Sequence, residues 1–161
     1  MLQHLCKISE TWKINREDGV YCIIFVPIRE LCIQVEMTLK KLLYWLPFLV
    51  GGSLMGGESI KKEKSRLWKG INVLICTPGW LLYHLKNTES FKFNYLQYFI
   101  FDEADWMLDL GFEREMSECL NYIKGKNRTL YVHQANFETK DYVKTVLVSA
   151  TLTHWIEHLA S

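Results

Sequence analysis

Three carboxylates, Asp102, Glu103 and Asp105, stand directly behind the apolar run Tyr98–Phe101. Like charges repel, so their crowding at the mouth of a buried-type segment asks for a reason. One reason is chemistry. A carboxylate at the end of a buried strand is a usual place to hold Mg²⁺ beside nucleotide phosphates, because magnesium prefers oxygen ligands, keeps several waters and needs only one or two protein carboxylates. Glu103 would then be free to orient or deprotonate an attacking water. The plainer alternative is an acidic turn that caps the following helix, and for an isolated D-E-x-D that is the better reading. A second candidate constellation is His154-x-x-Glu157-His158, which fits the inverted zinc-protease pattern. No third ligand follows it before Ser161, so it reads as a chance match. His4, His84 and His133 show no ligand spacing and are expected at the surface or at an interface.

The elements that must position these residues are legible in the hydrophobic pattern. Val20–Val26, Ile71–Cys76, Tyr98–Phe101 and Thr145–Ser149 are short runs rich in β-branched or aromatic residues and apolar on both faces. That pattern predicts strands buried on both sides, as in a parallel sheet. Helical periods lie between them. Arg29–Trp45 places Leu31, Val35, Leu39 and Leu42 on one face. Gly57–Gly70 follows a glycine pair, Thr77–Asn87 carries Pro78 near its start, and Phe112–Gly125 ends on a glycine. Lys126–Lys144 has no clear period and reads as an exposed loop, with a short strand allowed at Thr129–Val132. Strand–helix alternation predicts βαβ units and a three-layer α/β domain.

In such sheets ligands sit beyond the carboxyl ends of the strands. The residues that follow the four strands are Pro27-Ile28-Arg29-Glu30, Thr77-Pro78-Gly79, Asp102-Glu103-Ala104-Asp105 and Ser149-Ala150-Thr151. All four polar clusters should gather on one rim.

Taken in order, these clusters, with Gly56-Gly57 between the first two, resemble the N-terminal RecA-like domain of DEAD-box RNA helicases. The stretch Ser53–Gly79 is similar to the branch implicated in nucleolar ribosome biogenesis. The resemblance implies a fold of the P-loop NTPase type, ATP with Mg²⁺ as cofactors, and RNA as partner. Asp102 would bind the Mg²⁺ of ATP, directly or through water, and Glu103 would activate the hydrolytic water. Asp105 would hydrogen-bond with Ser149 and Thr151, coupling the nucleotide site to the RNA-bound state. Pro27, Arg29 and Glu30, then Gly56 and Gly57, then Thr77, Pro78 and Gly79, match motifs that lie along the RNA backbone. Glycines there let main-chain N–H groups approach phosphates, and helix N-termini favour the anion. Such contacts ignore base identity, so sequence-independent binding of single-stranded RNA is expected. Taken alone, each glycine pair would be an ordinary turn.

The sequence also departs from that pattern. The family's phosphate loop, G-x-x-x-x-G-K-S/T, should precede the Val20–Val26 strand, and residues 1–20 look like the helix that follows it. Gly51–Glu58 has the glycine spacing but offers Gly57 and Glu58 where Lys and Ser/Thr are needed, so it cannot substitute. Ile28 stands where the family has Thr, Trp80 where it has Arg, and Trp106 where it has a basic residue. The expectation is therefore a partial helicase ATP-binding domain over residues 1–161. It would lack its first strand, its phosphate loop and the second RecA-like domain with its arginine finger. Such a chain alone would be catalytically defective, and the alternative is a non-catalytic RNA- or protein-binding module. Without a neighbouring strand, Thr145–Ser149 should be an exposed apolar edge that a loop or a protein partner covers.

Composition narrows the classes. With 49% apolar and 14% aromatic residues, the 161-residue chain should be globular, with one core. A formal net charge of +1 requires any basic footprint to be local. The longest oily stretch, Leu42–Val50, contains Pro47 and is too short to span a bilayer, so no membrane is expected. Five cysteines without a C-x-x-C pair read as reduced thiols of a nuclear or cytoplasmic protein. The family resemblance favours the nucleus and nucleolus.

Overall fold

The computed structural model describes residues 1–11, 13–130 and 143–150, the side chains of 127–130 excepted. Its elements are α1 (Leu2–Thr11), a 3₁₀ turn (Arg16–Asp18), β1 (Cys22–Phe25), α2 (Arg29–Leu43), β2 (Gly51–Leu54), α3 (Ile60–Lys69) and β3 (Val73–Cys76). They continue with α4 (Pro78–Asn87), β4 (Tyr98–Asp102), α5 (Ala104–Asp109), α6 (Glu113–Leu130) and β5 (Lys144–Val148). The described strands form one sheet in the order β2-β3-β1-β4-β5, and every pair is parallel. The fold is the three-layer αβα arrangement that the alternation predicts, of the RecA-like type that the resemblance implies.

Two apolar layers close on the sheet. On one face Leu5 of α1 and Cys32, Leu39 and Leu43 of α2 pack against Cys22, Ile24, Val73, Ile75 and Tyr98. On the other, residues of α3 to α6, among them Leu67, Leu81, Met107 and Ile123, cover Ile23, Phe25, Leu74, Phe99 and Phe101. β1 and β3 are buried along their whole length, as central strands of a parallel sheet must be. Asn72 fastens the start of β3: its amide donates to the carbonyls of Asn15 and Gly19 (3.0 and 3.1 Å), and its oxygen accepts from the Val50 N–H (3.0 Å).

Several expectations are corrected. β2 is a fifth strand that the pattern did not announce, because Gly51-Gly52-Ser53 has neither β-branching nor alternation. The glycines are there for space: a Cβ at Gly51 would lie 2.9 Å from methyls of Leu39 and Leu43, and one at Gly52 2.9 Å from Ile71. Gly125 does not end α6, which runs on to Leu130, so the expected loop does not begin at Lys126. Residues 131–142, with most of that loop and half of the strand allowed at Thr129–Val132, lie outside the described residues. Leu42 is half exposed; Cys32 and Leu43 are buried in its stead, so the inner face of α2 is rotated from the predicted one. β5 alternates between partly buried and exposed residues and forms an edge of the described sheet, with Val146 and Val148 exposed. Among the described residues no helix is long and apolar enough to cross a membrane. Cys22, Cys32, Cys76 and Cys119 are buried and Cys6 is partly so; all are free thiols. Burial pushes Cys22, Cys32 and Cys119 up to about 12 and holds Cys76 well above the ordinary thiol range.

Candidate functional site

Parallel register decides where the polar clusters meet. Phe25 lies beside Cys76 and Phe101, Leu54 beside Cys76, and Asp102 beside Val148. All five described strands therefore point their carboxyl ends at one rim, and the segments that follow them share it.

At the β1 end, buried Pro27 leads into Ile28, an extended residue that precedes α2. Arg29 and Glu30 open the helix and are exposed. The Arg29 guanidinium donates to the Gly56 carbonyl (2.9 Å), joining this turn to the one after β2. Gly56 and Gly57 adopt φ of +72° and +76°, a left-handed pair that bulkier residues resist. A Cβ at Gly57 would fall 1.7 Å from Arg29 Nη1, so the guanidinium occupies the space a side chain would need.

Behind this turn lies a charged cluster. Glu58 pairs with Arg66 (2.6 Å), Arg66 donates to the Ser53 carbonyl (3.0 Å), and the Ser53 hydroxyl donates to Glu36 (2.6 Å). Burial would raise the Glu36 carboxyl, but hydrogen bonds from Lys40 and Ser53 outweigh it and hold the group below the usual carboxylate range.

At the β3 end, Thr77 precedes α4 and Pro78 opens it, as a residue without an N–H suits the first turn. No side-chain hydrogen bond caps this terminus. Gly79 is exposed, and a Cβ there would meet nothing within 4 Å, so the backbone of this turn is accessible from the rim. Trp80 follows, half buried, with its indole N–H donating to Glu63 (2.7 Å).

At the β4 end, Asp102 is partly buried and lines an open groove with Met1, Leu2 and the side of α2 that carries Leu31, Val35 and Leu42. Glu103 is exposed with φ of +55°, the one non-glycine residue in the left-handed region among those described. That conformation is sparsely populated and clusters at functional sites. The Asp105 N–H donates to the Ser149 hydroxyl (3.3 Å), tying the tips of β4 and β5. Thr151 and the His154–His158 pattern lie outside the described residues. Trp106 is exposed.

Among the described residues no group of three or more His, Cys, Asp or Glu side chains could hold a metal ion unaided. What the rim offers at β4 is one or two carboxylates, a donor set that fits a hard cation sharing its remaining ligands with water and phosphate.

The model of the DEAD/DEAH box helicase family matches residues 1–159. The chain belongs to this family. It is 44% identical over 155 residues to the ATP-dependent DNA helicase DDX31 of Dictyostelium discoideum, covering 96% of this chain and 16% of that protein. It is 40% identical over 157 residues to the DEAD-box ATP-dependent RNA helicase 17 of rice, covering 98% of this chain and 26% of that one. The chain thus spans about a sixth to a quarter of the length of these relatives. The solved structure of the DEAD-box helicase Mss116 bound to ssRNA and UDP-BeF superimposes with a TM-score of 0.77 at 28% identity, over 98% of this chain and 30% of that one. The yeast DEAD-box splicing factor Prp28 does so with 0.72 at 27%, over 90% and 30%.

Sequence reasoning missed the groups that brace the rim. His84, expected at the surface or at an interface, is fully buried, because Glu63 and Thr88 satisfy both ring nitrogens. Glu63 is itself buried within a lysine-rich helix. The available signal was spacing: Glu63 stands four residues before Leu67, which turns it onto the apolar side of α3.

Proposed function

We propose that the chain provides the N-terminal half of a DEAD-box RNA helicase site, a surface that binds the backbone of single-stranded RNA without regard to sequence. The single observation that carries this reading is the shared rim, which gathers Arg29, the Gly56-Gly57 turn, the amino end of α4 and the Asp102–Asp105 cluster. Left-handed glycines and an uncapped helix start supply main-chain N–H groups suited to phosphate oxygens. In this reading Pro27, Arg29, Glu30, Gly56, Gly57, Thr77, Pro78 and Gly79 line the RNA path. Asp102 holds Mg²⁺ with ATP, and Glu103 orients the attacking water. Asp105, Ser149 and Thr151 couple the two ligands; the Asp105–Ser149 hydrogen bond supports that role. When bound, Mg²⁺ would neutralise charge developing on the transferred phosphoryl group.

We further infer that these 161 residues alone do not turn over ATP. They contain no G-x-x-x-x-G-K-S/T, hence no lysine and hydroxyl set to cradle the β- and γ-phosphates. An arginine finger from a second domain contributes on the order of 10³–10⁵ in rate in phosphoryl transfer. The branch resemblance of Ser53–Gly79 supports a place in nucleolar ribosome biogenesis.

The test pairs two assays on the same preparation. Oligonucleotides of unrelated sequence should bind with similar, salt-weakened affinity, while phosphate release in the presence of RNA stays at background. Turnover that Glu103→Gln abolishes would overturn the inactive reading; strong preference for one base sequence would overturn backbone binding. A second reading, a module that docks a protein through the β5 edge, is favoured by the exposure of Val146 and Val148, 41% and 50%.

A further inference from the structure

The rim is braced from below by a buried carboxylate. α3 is half basic, yet its Glu63 side chain is 0% exposed. One oxygen, Oε2, accepts from the Trp80 indole N–H (2.7 Å) and lies 3.0 Å from His84 Nε2. His84 Nδ1 is 2.9 Å from the Thr88 hydroxyl. Burial lowers the His84 pKa against the pull of Glu63, which favours the neutral ring. A neutral imidazole facing a carboxylate at Nε2 carries its proton there and accepts the Thr88 hydroxyl at Nδ1. The other oxygen, Oε1, has no hydrogen bond and faces the Arg66 guanidinium at 4.0 Å.

Burying an ion is costly unless its geometry is well satisfied. A leucine would fill such a position at lower cost, so the charge calls for another explanation, and the geometry supplies one. Trp80 immediately follows Thr77-Pro78-Gly79. Its ring also lies over the neighbouring turn, where a Cβ at Gly56 would meet it at 3.7 Å, and it stacks on Tyr83 at 5.0 Å. Arg29 holds the same turn through the Gly56 carbonyl. The indole is therefore clamped between α3, α4 and the glycine turn, and is not a loose platform for a base.

We propose that Glu63 is a positioning residue for RNA: through the Trp80 indole N–H it fixes the spacing between the Gly56-Gly57 turn and the amino end of α4. The proposal rests on the RNA reading above. It adds two residues, on α3 and α4, that touch no phosphate yet set how well phosphates are held.

The experiment is binding of a fluorescein-labelled oligouridine to the whole chain by anisotropy, with urea unfolding of the same samples. Trp80→Phe keeps an aromatic ring beside Gly56 and Tyr83 and removes the N–H together with part of the indole's volume. It should weaken RNA binding about three- to tenfold, the equivalent of one hydrogen bond, with the folded fraction unchanged at the assay condition. The slope of log affinity against log salt should not change, because no phosphate-facing cation is lost. Glu63→Gln retains an acceptor oxygen for the indole and should bind within about twofold of the unaltered chain. Glu63→Leu should match Trp80→Phe in RNA affinity; should it not fold, the Trp80→Phe result decides. Equal binding by Trp80→Phe and the unaltered chain overturns the proposal and leaves the RNA reading standing. A loss that only tracks the unfolded fraction also overturns it. No binding by the unaltered chain overturns both.

Discussion

Alanine at Gly57 and alanine at Gly56 should not have the same consequence, although both glycines are left-handed. Each substitution forces an L residue into a conformation that costs about 1–2 kcal/mol. At Gly56 that is the whole effect, because the new Cβ would meet only the Trp80 ring at 3.7–3.9 Å, ordinary contact. At Gly57 the Cβ would fall on Arg29 Nη1 at 1.7 Å, so the guanidinium must leave. Leaving breaks its hydrogen bond to the Gly56 carbonyl, an exposed bond. A charged donor contributes about 1.5–3 kcal/mol when shielded and about 1 kcal/mol in water's reach. Gly57→Ala should therefore destabilise the chain by about 2–3 kcal/mol and Gly56→Ala by about 1–2 kcal/mol. The two are compared by equilibrium urea unfolding, alone and on an Arg29→Ala background. With Arg29 gone the extra cost at Gly57 should vanish, a coupling of about 1 kcal/mol in the cycle. Equal costs for the two glycines in both backgrounds would refute the claim that Arg29 occupies the space of a Gly57 side chain.

Two further outcomes follow from the scaffold. Asn72→Ala removes three hydrogen bonds that join β3 to Asn15, Gly19 and Val50. It should lower the urea-derived stability by about 2–6 kcal/mol, since some of the stranded groups can reach water and some cannot; a loss below about 1 kcal/mol would contradict it. His84 carries a pKa below its ordinary value because burial disfavours its charged form, against Glu63 and with Lys64 and Arg66 adding to the depression. The unfolded chain thus binds the proton more readily than the folded one. The stability tied to neutral His84 is complete above about pH 6.5 and is lost as the solution is acidified below it. Urea midpoints at pH 7.5 and 5.5 should show the fall, and His84→Gln should flatten it; an unchanged slope in the variant would contradict the assignment.

Much of this protein could be read from its residues. Val20–Val26, Ile71–Cys76 and Tyr98–Phe101 announce strands because side chains on both faces of a central parallel strand must be apolar, and Cys22–Phe25, Val73–Cys76 and Tyr98–Asp102 are those strands. The polar residues behind each strand could be placed on one rim by direction alone. What the chain order could not show is anything set by packing between distant segments. β2 is strand through its parallel pairing with β3, and its two glycines make room for α2 and Ile71, contacts no local propensity encodes. α6 passes through Gly125 even though a glycine commonly marks a helix end. His84 is buried because α3 delivers Glu63 to it across 21 residues of sequence. Residue types and spacing determine that polar clusters can share one rim; the tertiary fold decides how its turns are held, since Arg29 reaches Gly56 and Glu63 reaches Trp80 from other segments of the chain.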